Sequence, residues 1–119
     1  MRRLALIAVA VAIAGCGPTQ PQAPLDQAKK IDDATSGIST ACGEASQVTA
    51  FAGDHRADLA TLEAIARSKA RRLASVYTRN PRWIYQGETV RKIVQDAVST
   101  LRSCGLDAAA AALRRATGA

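Results

Sequence analysis

Apolar residues occur along the chain as one continuous run and then as four periodic stretches. The continuous run extends from Leu4 to Ala14. In the later stretches apolar residues recur every three or four positions, the spacing that places them on one face of a helix. The predicted helices run from about Asp26 to just before Gly53, from Asp54 to about Thr78, from about Glu88 to Cys104, and from about Ala108 to Ala116.

Residues that favour helix ends lie between these stretches. Asp26, Asp54 and Asp107 are predicted to cap three of the helices, because an aspartate side chain can accept hydrogen bonds from the first free backbone N–H groups. Gly105 and the Asn80-Pro81 pair are predicted to end the helices before them. Alanine is abundant and residues that favour strands are few, which also favours helices.

The sequence therefore predicts an all-α fold. The predicted architecture is a small up-down-up three-helix bundle with a short C-terminal fourth helix, occupying residues 26–116. The remaining chain is divided into a leader, 1–15, and a connecting segment, 16–25.

The leader has the layout of an export signal. Arg2 and Arg3 precede the apolar run, and small residues follow it. As a helix the run would extend about 16 Å, whereas crossing a bilayer takes about 20 apolar residues. A secretory signal is therefore favoured over a spanning helix.

The end of the leader, Ile13-Ala14-Gly15-Cys16, resembles the lipobox of bacterial lipoproteins. The resemblance implies that the thiol of Cys16 receives a diacylglyceryl group and that residues 1–15 are removed. It also implies a lipid-anchored domain outside the cytoplasm, on the cell membrane or the outer membrane. The alternative is an ordinary signal peptide whose cleavage region contains a cysteine.

Residues 16–25 are predicted to form a tether between the lipid and the bundle. Pro18, Pro21 and Pro24 recur at every third position among polar residues, which favours an extended polyproline II conformation. Such a segment would reach about 30 Å.

Two cysteines remain if Cys16 carries lipid. Because the resemblance places the domain in an oxidising compartment, we expect Cys42 and Cys104 to form a disulfide. The up-down-up arrangement would bring them to nearly the same level of the bundle. Closing a loop of roughly 63 residues would stabilise the fold by about 4 kcal/mol. Free thiols and a bridge between two chains are the alternatives.

Charge is unevenly distributed. The net charge is +6, but residues 26–63 contain seven acidic and three basic residues, while residues 67–115 contain three acidic and eleven basic ones. This asymmetry predicts an acidic helix packed against a basic one, with solvated charged faces. The alternative is a basic surface that meets anionic headgroups or wall polymers. Nucleic acid is excluded as a partner by the predicted export.

The sequence lacks the usual residue patterns of catalysis. His55 is the only histidine, so a histidine cluster for a metal is excluded, and His55 with Asp58 and Glu63 would make only a weak site. The chain contains no glycine-rich phosphate loop and no Cys-x-x-Cys pair. We expect a protein that is not an enzyme and needs no cofactor or metal.

One segment is a candidate binding site because it combines aromatic and arginine side chains. Such residues are frequent anchors of protein interfaces, since they combine a large contact area with a polar end. The alternative is that the rings close one end of the bundle. The candidate residues are Tyr77, Arg79, Arg82, Trp83, Tyr85 and Arg91.

Two classes of function fit these observations. The first is a non-enzymatic interaction module that docks another envelope protein. The second is a binding module for a small or polymeric anionic ligand, which would use Arg79, Arg82 and Arg91. An exclusion or immunity lipoprotein is a further alternative, suggested only by size and anchoring.

Overall fold

The computed structural model describes residues 21–50, 53 and 55–119. The predicted signal peptide, the lipid attachment at Cys16, and residues 16–20 of the predicted tether lie outside the described residues. The same holds for Asp54, the predicted cap of the second helix.

The described chain forms four helices and one short hairpin, so the all-α prediction is confirmed in its general form. The hairpin strands pair in an antiparallel register. None of the described helices is both long and apolar enough to cross a bilayer. In chain order the elements are α1 (Leu25–Thr49), α2 (Arg56–Arg79), β1 (Ile84–Tyr85), β2 (Glu88–Thr89), α3 (Val90–Ser103) and α4 (Asp107–Thr117).

The core consists mainly of small side chains. Nine of the 22 buried apolar residues among those described are alanines, from Ala34 in α1 to Ala110 in α4. The larger buried side chains come from all four helices and include Ile31, Leu73 and Leu101. Because alanine keeps helix axes close together but buries little apolar area, this core stabilises the fold less than a core of leucines would.

A side chain of α2 packs directly against the backbone of α1 at Gly37. The stem of Lys69 crosses this glycine, and a Cβ atom placed there would lie 2.6 Å from the Lys69 Cγ. Beyond the glycine, the Lys69 Nζ reaches the two carboxylate oxygens of Asp33 at 3.0 and 3.1 Å. The Arg72 Nε contacts the same carboxylate at 3.2 Å. At this site the predicted contact between an acidic and a basic helix is present.

Cys42 and Cys104 are joined as predicted. Their Sγ atoms are 2.03 Å apart and their Cα atoms 5.4 Å apart. Cys42 lies in α1, and Cys104 is the residue that follows α3. The bridge therefore ties the first long helix to the end of the third.

A tight turn joins α3 to α4. Gly105 has a φ of 86°, which a residue with a Cβ atom adopts only at a cost. Its N–H donates to the carbonyl of Arg102, and the N–H of Leu106 donates to the carbonyl of Leu101. These two bonds form a Schellman motif, so Gly105 ends the helix as predicted and leads the chain into α4.

Two predicted helix caps are wrong. Asp26 and Asp107 each lie in the first turn of their helix, and neither cap position makes a side-chain capping bond. The Asp26 carboxylate instead accepts a 3.3 Å hydrogen bond from Gln27, which is the main cause of the lowered pKa of Asp26. At α4 the cap comes from α2: the N–H of Ala109 donates to Glu63 Oε2 at 2.6 Å.

The third helix begins two residues after its predicted start at about Glu88. Glu88 lies in β2, paired with Tyr85, and α3 begins at Val90. The reason is a two-residue turn, in which Gln86 and Gly87 have φ values of 50° and 83°. Positive φ at both central positions is typical of the type I′ turn that connects paired strands.

The folded domain begins earlier than predicted, because part of the predicted tether packs on the hairpin. The N–H of Ala23 donates to the carbonyl of Ile84, and the N–H of Ile84 donates to the carbonyl of Pro21, both at 2.9 Å. Gln22 thus forms a parallel bridge with Ile84. Residues 21–25 of the predicted tether therefore belong to the folded domain.

We expect Glu63→Ala to lower the free energy of unfolding by about 1 kcal/mol, because it removes both a helix cap and a negative charge near the N-terminus of α4. Urea denaturation followed by circular dichroism measures this. The matched control is Glu44→Ala, which removes an exposed glutamate from α1 and should change stability by less than about 0.5 kcal/mol. Equal effects of the two substitutions would contradict the role of Glu63 as a cap.

Candidate functional site

The predicted aromatic and arginine segment follows α2 and is shaped by Asn80. The N–H of Asn80 donates to the carbonyl of Val76, so the helix closes one residue before Pro81. The side-chain oxygen of Asn80 accepts a 2.9 Å bond from the N–H of Arg82. The backbone carbonyl of Asn80 accepts a bond from the N–H of Trp83. These bonds turn the chain sharply and lead it into β1.

This turn also caps α3. The first free N–H groups of the helix, at Val90 and Arg91, donate to the carbonyls of Trp83 and Pro81 at 2.8 and 2.9 Å. The next N–H, at Lys92, donates to the Thr89 hydroxyl at 3.1 Å. Because two of these three donors bond to carbonyls of the turn, the segment is held against the start of α3.

The candidate residues do not converge on one point. The Arg91 guanidinium lies over the Tyr77 ring at 5.4 Å from its centre, a cation–π contact. Arg79 and Arg82 are exposed, whereas Tyr77 and Trp83 are half-buried and pack against the core. The alternative considered for the rings, that they close one end of the bundle, fits Tyr77 and Trp83.

Tyr85 belongs to a different surface. Its hydroxyl donates to the Asp32 carboxylate of α1 at 3.4 Å. Burial, and after it the negative charge and hydrogen bond of Asp32, raise the pKa of the Tyr85 phenol. The tyrosine therefore links the hairpin to α1 and stays protonated well above neutral pH.

Tyr85 forms one wall of an open groove of about 330 Å³ between α1, the hairpin and α3. The floor is apolar and includes Ile38, Ile93 and Ala97, while the rim is polar. Of the six predicted binding residues only Tyr85 lines this groove. The full lining is Thr35, Ile38, Ser39, Tyr85, Gln86, Glu88, Ile93, Asp96, Ala97 and Thr100.

We name this surface the hairpin groove. The hairpin groove was not predicted from the sequence, because its lining comes from three elements and the hairpin among them was not predicted. One local signal of a hairpin was present in the sequence. The Gln86-Gly87 pair, which suits a two-residue turn, stands between Ile84-Tyr85 and Glu88-Thr89.

The ionised side chains at the hairpin groove are mostly acidic. Glu88 and Asp96 are on its rim, and Asp32 is bonded to Tyr85 beside it. Lys92 pairs with Asp96 at 2.7 Å, and this hydrogen bond is the main reason that the pKa of Lys92 is raised. With one lysine against three carboxylates, the groove suits a ligand with a hydrogen-bond donor or a positive charge rather than an anion.

No arrangement suited to metal binding was found in the described part of the chain, where three or more His, Cys, Asp or Glu side chains never come together at a metal-binding distance. The contacts at the hairpin groove are hydrogen bonds, ion pairs and apolar packing. Such a groove can bind and orient a partner.

Comparison with protein-family models, curated proteins and solved structures gave no match to this chain.

We expect ultraviolet titration of the two tyrosines to show Tyr85 ionising above the ordinary value of about 10. Because the folded state holds this proton more tightly than the unfolded chain, stability should fall as the pH rises from about 10 through the folded pKa. Tyr85→Phe should remove the late transition, and Asp32→Asn should shift it to lower pH. Asp58→Asn is the control and should leave it unchanged; a Tyr85 transition at or below the ordinary value would refute the contact.

Proposed function

We propose that this chain is the precursor of a lipoprotein, anchored in the cell envelope through lipid on Cys16, whose helical domain is a non-enzymatic module that docks another envelope protein. The anchor is supported by the basic start, the short apolar run and the lipobox-like Ile13-Ala14-Gly15-Cys16. The docking role is supported by the hairpin groove.

We also propose that the three long helices run up, down and up. Asp33 near the start of α1 contacts Lys69 and Arg72 in the second half of α2. Ala41, further along α1, shares a surface depression with Leu62 in the first half of α2. Opposite orders of contact along two helices favour an antiparallel pair. The Cys42–Cys104 bridge joins the last third of α1 to the residue after α3, which fits an α3 that runs in the same direction as α1.

The hairpin groove carries the docking proposal because its composition matches the anatomy of a protein interface. Its floor is apolar, so a side chain that enters it gains free energy by leaving water. The rim supplies hydroxyls from Ser39 and Tyr85 and carboxylates from Glu88 and Asp96. We expect the partner to insert an apolar side chain that has a basic or amide-bearing neighbour.

We expect the groove to be preformed, because its walls are elements of the fold. One wall is α1, the facing wall is α3, and the Tyr85 hydroxyl links the hairpin to α1 through Asp32. A preformed surface loses little conformational entropy when a partner binds, which favours affinity for a given contact area.

We expect a photoreactive residue at Gln86, on the groove rim, to form a covalent complex with a partner protein in intact cells. Ser39→Arg places a bulky side chain in the groove and should reduce this yield by about tenfold, equivalent to about 1.4 kcal/mol of binding free energy. The control is Ser46→Arg, two turns along α1 and outside the groove. If no complex forms, or if both variants crosslink equally, the docking proposal fails.

The anchor is tested separately by mass spectrometry of the mature N-terminus. We expect the first residue to be Cys16, carrying a diacylglyceryl group, and we expect Cys16→Ser to abolish lipid attachment while leaving the helical circular dichroism unchanged. An unmodified Cys16, or a leader that remains on the protein, would contradict the anchor.

A further inference from the structure

A second concave surface lies between α1 and α2, away from the hairpin groove. This shallow depression of about 400 Å³ is lined by Lys30 of α1 and by Ser68, Arg71, Arg72 and Ser75 of α2. We name it the basic groove. The side chains that line it are three cations and two hydroxyls, and none is acidic.

The basic groove follows from the helical spacing of α2. Ser68, Arg71, Arg72 and Ser75 are three or four residues apart, so they share one face of the helix. The two serines are small and leave space between the longer arginines. The second half of α2, from Arg67 to Arg79, contains five basic residues and no acidic one.

Nearby carboxylates compensate only part of this positive charge. Asp33 accepts a bond from the Arg72 Nε, but the guanidinium has further N–H donors on its other nitrogens. Asp26 lies one turn before Lys30 and interacts with it only weakly, as the least of the causes that lower the pKa of Asp26. Arg71 is exposed.

These residues have the chemistry of a phosphate site. Arginine presents N–H groups in a planar fork that matches two phosphate oxygens, and lysine adds a point charge. The Ser68 hydroxyl can donate one more hydrogen bond, whereas the Ser75 hydroxyl donates to the backbone carbonyl of Arg72 at 2.7 Å. The volume of the basic groove accommodates a phosphate with its neighbouring ester groups, and the open shape allows entry from a surface.

The place of the basic groove in the domain indicates where that phosphate comes from. Pro21 is fixed to the hairpin beside the start of α1, and five residues from Cys16 to Pro21 span at most about 18 Å. Lys30 is only about 8 Å along α1 from its first residue, Leu25. A lipid on Cys16 would therefore hold this end of the bundle close to the headgroups, within a few Debye lengths of about 8 Å.

We infer that the basic groove binds the phosphate diester of an anionic membrane phospholipid, with Arg71 and Lys30 as the principal contacts. The choice of a membrane source rests on the lipid anchor of the proposed function. Binding here would set the orientation of the anchored domain. By helical spacing Lys30 and Ser39 lie on opposite sides of α1, so the hairpin groove would remain accessible to a partner.

The experiment uses the processed, lipid-bearing protein, labelled with ¹⁵N and held in micelles of a neutral detergent. Short-chain phosphatidylglycerol is added, and parallel titrations use short-chain phosphatidylcholine and inorganic phosphate. We expect saturable amide shifts at Ser68, Arg71 and Ser75 with the anionic lipid, and at most weak shifts with the other two probes. A basic residue near an anionic surface contributes about 1 kcal/mol to binding. Removing one cation should therefore weaken binding of the anionic lipid about fivefold.

The variants for this experiment are Arg71→Gln and the double variant Lys30→Gln with Arg71→Gln. The matched control is Arg102→Gln with Arg115→Gln, which removes the same net charge from exposed positions in α3 and α4. We expect the first double variant to bind about thirtyfold more weakly by the same constant and the control to bind as the original protein does.

Several outcomes would overturn the inference. They are no shift with the anionic lipid, equal shifts with phosphatidylcholine, equal weakening in the control variant, or inorganic phosphate binding as tightly as the lipid. The titration does not depend on a protein partner or on the hairpin groove, and mass spectrometry reports independently on Cys16. The docking proposal, the anchor and the basic groove can therefore fail separately.

Discussion

The Cys42–Cys104 bridge is the interaction on which this small domain most depends. A core in which alanine is the commonest buried residue brings helices close together but removes little apolar surface from water. A covalent bond that closes a long loop compensates for this small burial, because it restricts the unfolded chain and so raises the free energy of the unfolded state. Since the bridge joins α1 to the end of α3, it also holds the two helices that form the walls of the hairpin groove.

The small side chains between the helices also explain how the two grooves arise. Where α1 meets α2, a glycine accommodates the stem of Lys69 and allows its ammonium to reach Asp33. Asp33 thereby pairs with Lys69 and Arg72 of α2. Arg71 remains exposed beside Lys30 and the serines. On the other side of α1, the hairpin carries Tyr85 and Glu88 to the groove rim. An acidic-rimmed groove and a basic one thus share a helix but suit partners of opposite charge.

Sequence reasoning succeeded where a feature depends on neighbours along the chain. Helical periodicity located the four helices to within a few residues, Gly105 ended α3 as expected, and the cysteine pairing was predicted by elimination once Cys16 had been assigned to lipid. It failed where a local signal was ambiguous. Glu88 suits the start of a helix as well as a strand. It lies in a strand because Gln86 and Gly87 have positive φ values and form the turn that pairs the two strands.

The sequence by itself determined the helical class and the uneven distribution of charge, because each of these is a property of composition or short-range spacing. Only the tertiary structure decided which groups meet across elements. Glu63 caps a helix that begins 44 residues later in the chain, Tyr85 bonds to Asp32 rather than joining Tyr77, and the predicted arginines do not converge. Such contacts join residues far apart in sequence, so their geometry depends on how helices pack rather than on any local pattern.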